Sequence, residues 1–217
     1  MKLLFDYEHF EKLLPSYLSK AEKGRLIAAL EQFQEQNAKK SSAWSGKFYS
    51  HFYLSKDTNY FLQGDLLNGI RQPNWNTETD AFEKIYAKAL ILSNTCDMDM
   101  SNDRIIPKEI VLAPLIFFAD FVEELRLLVD GKKLETIIQG IKSQIYSNVF
   151  YLPPVQGVNE DFICFFDNVF WFPTEELNAY QKDIDQTRIA SLNYFGYYLF
   201  LVKLSYHFCR LPEERQR

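Results

Sequence analysis

Gly64-Asp65-Leu66-Leu67, then Ala89-Leu90-Ile91-Leu92-Ser93-Asn94-Thr95-Cys96-Asp97, then Ile110-Val111-Leu112-Ala113-Pro114-Leu115: three short apolar runs, one of them ending in a polar turn, decide how this chain folds. The middle run is apolar at consecutive positions, as expected of a strand covered on both faces. Together the runs read as strands over residues 63–70, 87–93 and 109–116, arranged around one small barrel. A polar loop, Gln72-Pro73-Asn74-Trp75-Asn76, separates the first two. Its residues are turn formers, so Trp75 is the expected exposed anchor for a partner.

Working outward, Phe10, Leu13, Leu14, Tyr17 and Leu18 recur at helical steps, and residues 8–36 read as helix, followed by a small polar linker over 38–46. After the third strand, residues 121–129 and 134–146 return to helical spacing, with Gly131 read as a C-cap between them. Residues 149–152 read as a strand ending at Pro153-Pro154, and 162–172 as a hairpin broken at Asp167-Asn168. Thr174-Glu175-Glu176 looks like a helix start, and 189–209 like a long aromatic-rich helix. On that helix Leu192, Phe195, Leu199 and Val202 or Lys203 should face the strands.

Composition narrows the function classes. With 217 residues, 47% of them apolar, the chain can bury a core without disulfides or metals. A net charge of -5 argues against holding duplex nucleic acid by phosphate neutralisation, and disfavours RNA as a partner. Aromatic residues make up 16% of the chain, and without a basic groove they read as core rather than as a base-stacking platform. Cys96, Cys164 and Cys209 are odd in number and unpatterned, which suits reduced thiols in a cytosol. The opening residues do not read as a signal peptide, and no run reaches the length of a membrane span. A cytoplasmic protein is the expectation, with a protein partner or a second copy of itself as its company.

Polar chemistry concentrates in Ser93-Asn94-Thr95-Cys96-Asp97. One reading makes Cys96 a nucleophile or redox thiol, Asp97 an acid, base or ligand, and Lys88 the nearby cation. A nucleophilic thiolate needs a base or a positive surrounding, and no histidine stands nearby in sequence. The other reading makes Cys96 a small buried residue and lets Asn94, Thr95 and Asp97 cap backbone amides, which is the ordinary use of such residues. Ser93, Asn94 and Thr95 are then binding residues at most. Asp97, Asp99, Ser101 and Asp103 alternate like a calcium loop, but Asn102 and Lys108 stand where Gly and Glu are required. No metal and no cofactor is expected. His207, between Tyr206 and Phe208, reads as a packed residue rather than a ligand.

The order Gln63-Gly64-Asp65-Leu66-Leu67, Ala89-Leu90-Ile91-Leu92-Ser93, Val111-Leu112-Ala113-Pro114-Leu115 resembles the core of the PemK/MazF toxin superfamily. Nearer still is a group of bacterial proteins with a Ser-x-Thr-Cys-Asp turn and a helical tail, matched here by Arg188-Ile189-Ala190-Ser191-Leu192. The resemblance spans about residues 60–172 and implies an SH3-like barrel in a bacterial toxin–antitoxin or phage-defence setting. Taken with the helical spacing on either side of it, the reading is an α+β protein of three parts: helices over 1–56, a barrel over 57–173 with a helical insertion at about 118–147, and a helical segment over 174–217 packed on the barrel. The family's cleavage chemistry needs an Arg before the second strand and a Thr after Pro-Leu, and Ala87 and Ile116 stand there. The expected function is therefore a non-catalytic binding module. The alternative is a nuclease or other hydrolase with its site moved to Lys88, Cys96 and Asp97.

Overall fold

Gly69 sets the geometry of the first hairpin. In the computed structural model, which describes residues 20, 23–24, 27, 52–54, 58–99, 101, 109–155 and 158–208, its φ of +68° places one extra residue on the first strand. The register between β1 (Leu66–Asn76) and β2 (Ala81–Ile91) shifts there, from Leu67↔Ala89 to Ile70↔Ala87. This is a glycine bulge, a device that only a residue free to adopt positive φ supplies. Beyond it the pairing runs without interruption to Asn76↔Ala81. The Gln72-Pro73-Asn74-Trp75-Asn76 stretch is therefore strand and not loop, and Trp75 stands opposite Phe82.

The remaining elements follow in order: α1 (Thr95–Met98), β3 (Glu109–Pro114), β4 (Ile116–Phe117), α2 (Phe118–Arg126), α3 (Gly131–Lys142), β5 (Val149–Leu152), β6 (Phe162–Phe165), β7 (Phe170–Pro173), α4 (Thr174–Gln181), α5 (Ile184–Thr187), β8 (Arg188–Ala190) and α6 (Tyr194–Phe208). The protein is α+β. A five-stranded antiparallel sheet has the order β7-β3-β2-β1-β8, and a three-stranded one the order β4-β6-β5. The sheets do not close into a barrel. The expected hairpin over 162–172 is the reason: the turn at Asp167-Asn168 carries the chain from β6, in the small sheet, to β7, which pairs with β3 in the large one.

β2 is central, and its consecutive apolar residues are covered on both sides. Leu90 joins a core of Leu66, Phe150, Phe162, Phe200 and their neighbours, lying between the sheets and α6. Ala89 and Ile91 face the opposite way, into a second core with Ile70, Leu112, Phe172 and Leu177 of α4. Fully burying one such side chain is worth roughly 1.5–3 kcal/mol. A third cluster packs α2 and α3 onto the small sheet through Phe118, Ile141, Tyr151 and Ile163.

Three local expectations change. Gly131 opens α3 rather than closing a helix, because Asp130 is the N-cap and accepts from the Lys133 amide at 2.9 Å. Residues 188–190 are strand, and the last helix starts only at Tyr194, where Asn193 Oδ1 accepts from the Gly196 amide at 2.9 Å. Its apolar face turns inward as expected, with Leu199 and Lys203 buried. The N-terminal helical reading lies outside the described residues, save that positions 20, 23, 24 and 27 are helical.

Candidate functional site

The Ser93–Asp97 turn is built by its own side chains. Ser93 Oγ accepts from the Val111 amide at 2.8 Å, Asn94 Oδ1 from the Cys96 amide at 2.9 Å, and Thr95 Oγ1 from the Gln63 amide at 3.0 Å. Asn94 thereby caps the single turn of α1. The expected binding trio is spent on holding the turn to β3 and to the Gln63-Gly64-Asp65 corner. Cys96 is exposed, and not buried as the capping reading had it, because α1 turns it outward over the apolar Met98.

That outward turn places Thr95 and Cys96 on the wall of a cleft of about 490 Å³. Phe61, Met98 and Leu177 supply apolar lining, and Tyr60, Asp99, Asn178 and Gln181 supply polar groups. The volume is that of a small-ligand or side-chain site. No lysine, arginine or histidine lines it among the described residues. Gln181 Nε2 donates to the Asn59 carbonyl at 3.0 Å, tying α4 to the loop that carries Tyr60. Asp99 Oδ1 accepts from the Ser101 amide and hydroxyl.

Beneath that loop lies a buried polar centre that residue patterns did not single out. Arg188, 7% exposed, donates to the carbonyls of Thr58 and Tyr60 and stands 3.6 Å from Asp65 Oδ2. Asp65 is wholly buried, with Oδ2 accepting from the Leu62 amide and Oδ1 left without a hydrogen-bond partner within 3.5 Å among the described residues. Burial pushes its carboxyl up to about 6, against the opposing pull of the Leu62 amide, the Ser191 hydroxyl and Arg188. Gln63 completes the corner: its side chain donates to the Leu92 carbonyl and accepts from the Tyr197 hydroxyl. The only hint in the sequence was a Gly-Asp pair before a strand and an Arg in the tail.

The proposed catalytic trio is not assembled in this cleft. Lys88 does not line it; its ammonium sits 4.5 Å above the Phe117 ring, on the β4 side of β2. Cys96 lines the cleft, and Asp97 follows it on α1. His207 pairs with Asp167 at 3.2 Å and packs on Phe166, away from any of these.

A second buried cation ties the tail to the small sheet. Lys203 Nζ donates to the Gln144 carbonyl, to Gln144 Oε1 and to the Val149 carbonyl. Burial pushes this lysine down to about 7 and the neighbouring Cys164 thiol up to about 12, so Cys164 is held as an inert thiol.

The fold and the cleft define an α+β protein with a mixed apolar and acidic-to-neutral site. Compared with protein-family models, curated proteins and solved structures, the chain matches none. No helix among the described residues is long and apolar enough to cross a membrane.

Proposed function

We propose that this protein is a non-catalytic binding module, built on sheets related to the SH3-like scaffold of PemK/MazF toxins and acting in a bacterial cytosolic system. The cleft beside α1 is its ligand site. The observation that carries this reading is the absence of any basic residue among the cleft's described lining, together with Lys88 standing over Phe117 instead. Cleavage of an RNA phosphodiester needs a cation or strong donors where charge develops. A cleft with one carboxylate, two amides, two hydroxyls, a thiol and an apolar floor suits a neutral or cationic group on an apolar stem, such as a partner's side chain.

The test is amide chemical-shift mapping with three probes: N-acetyl-lysine amide, N-acetyl-leucine amide and a mononucleotide. The first two should move the signals of Thr95, Cys96, Asn178 and Gln181, and Asp99→Asn should weaken the lysine probe alone. Saturable shifts at the same residues from the mononucleotide, with none from the others, would contradict the reading.

A further inference from the structure

The loop that carries Tyr60 and Phe61 into the cleft is held from below by one buried arginine. Arg188 Nη2 donates to the Thr58 carbonyl at 2.6 Å, and Nη1 to the Tyr60 carbonyl at 3.1 Å and the Thr58 hydroxyl at 3.2 Å. Asp65 fixes the far end, where Oδ2 accepts from the Leu62 amide at 2.9 Å. Gln181 reaches the same loop from α4, at the Asn59 carbonyl. The place of Tyr60 and Phe61 in the cleft wall rests on these bonds.

The guanidinium and the carboxyl group do not bond each other. Arg188 Nη1 stands 3.6 Å from Asp65 Oδ2, beyond hydrogen-bond length, and Asp65 Oδ1 and Ser191 Oγ are both buried with no hydrogen-bond partner within 3.5 Å among the described residues. A neutral acid suits this arrangement, because its O–H has the Ser191 hydroxyl, which acts on Asp65, as its acceptor. An ionised one does not, since a buried carboxylate oxygen without a donor is costly. The donors within reach are those of Arg188, and they are spent on the loop. Among the described residues Arg188 is the one charged group acting on Asp65. The loop brings only the Leu62 amide to its side chain, β2 brings the Ile91 amide to its backbone carbonyl, and α6 brings the Tyr197 phenol, which is bonded to Gln63.

From this we infer that Arg188 is shared between the loop and Asp65: loss of the Asp65 proton draws the guanidinium to the carboxylate, takes the donor from the Thr58 and Tyr60 carbonyls, and loosens the cleft wall. The cleft is then formed in acid and relaxed towards neutrality. Burial, which lifts this carboxyl from its ordinary 3.8 to about 6, sets the range. Linkage sets the sign. The closed corner holds the proton more strongly than a solvated carboxyl does, so raising the pH favours the loosened loop. The consequence for ligand affinity rests on the cleft being the ligand site, whereas the movement of the loop does not.

The test reads the loop first without a ligand. In the full chain the amide signals of Tyr60, Phe61 and Thr95 and the side-chain carboxyl carbon of Asp65 should titrate together with a midpoint of about 6, and Asp65→Asn should leave those amides unmoved. N-acetyl-leucine amide, whose charge does not change, should bind the wild type about fivefold or more weakly at about pH 7.5 than at about pH 5, and bind Asp65→Asn equally at both. If Asp65→Asn fails to fold, the wild-type midpoints decide the matter. An Asp65 carboxyl that titrates at its ordinary value, or one that titrates at about 6 while the Tyr60 and Phe61 amides stay still, would overturn the inference. So would loop titration that persists in Asp65→Asn, or tighter binding at the higher pH. Loop titration with no probe bound at either pH would support the latch and sink the cleft reading alone.

Discussion

Asp65 is a carboxyl group placed where water cannot reach it, and its proton is part of the fold. Its folded value, about 6, lies above its ordinary 3.8, so the folded state keeps the proton through a range in which the unfolded chain has lost it. Its contribution is full below pH 3.8 and is lost as pH rises to about 6. The loss is at most on the order of 3 kcal/mol. Urea unfolding of the wild type, compared with Asp65→Asn, should show stability falling across this window only in the wild type; parallel curves would remove the account of this carboxyl. Lys203 has the opposite arithmetic. Its value falls from 10.5 to about 7, so the unfolded chain binds the extra proton between them and stability rises with pH across that range, by at most about 1.4 kcal/mol per pH unit. Lys203→Met should flatten the rise, and a slope that persists in this variant would assign it elsewhere.

The elements legible in the sequence were those whose residues are buried on both sides. Ala89–Ile91 and Val149–Leu152 are uninterrupted apolar runs because both faces are covered; Val149–Leu152 is a strand at its expected limits, whereas the strand holding Ala89–Ile91 ends two residues before its expected end and begins six residues before its expected start. The outer half of the β1–β2 hairpin was illegible for the converse reason. Gln72 and Asn76 are half-buried and Pro73 and Asn74 exposed, so no apolar alternation marks the segment, and its cross-strand partners hold it in a strand that Gln, Pro and Asn do not favour by themselves. Residues 162–172 misled because adjacent strands usually form hairpins, and nothing local tells that β6 and β7 belong to different sheets. In the site, the capping roles of Asn94 and Thr95 were readable as turn chemistry, whereas the cleft was not, since Tyr60 and Leu177 come to it from distant parts of the chain. Glycine tests the corner that carries Asp65. Gly64 has φ +87°, and a Cβ there would lie 2.9 Å from Leu192 Cδ1, whereas Gly69, at φ +68°, has open space around it. Gly64→Ala should cost on the order of 1–3 kcal/mol and more than Gly69→Ala; equal costs would mean that contact with Leu192 is immaterial.

The whole molecule is knit together by its tail. β8 supplies an edge of the large sheet, Arg188 anchors the loop over the cleft, and α6 fills the space between the sheets with Leu199 and Phe200. Truncation after Gln186 removes all three, and the remaining chain should lose its cooperative thermal transition; an unchanged transition would make the tail a detachable arm. The proposed binding-module function turns on whether a chain that resembles the toxins only in its strand motifs could carry their chemistry. Ala87 and Ile116 stand where the Arg and Thr are needed, and loss of one such donor typically costs about 10²-fold or more in rate. The direct measurement is incubation of the purified protein with a mixed single-stranded RNA substrate, beside Lys88→Ala, Cys96→Ser and Asp97→Asn. The binding-module account predicts no cleavage at defined sites by any of the four proteins, and sequence-specific wild-type cleavage abolished by one of these substitutions would contradict it.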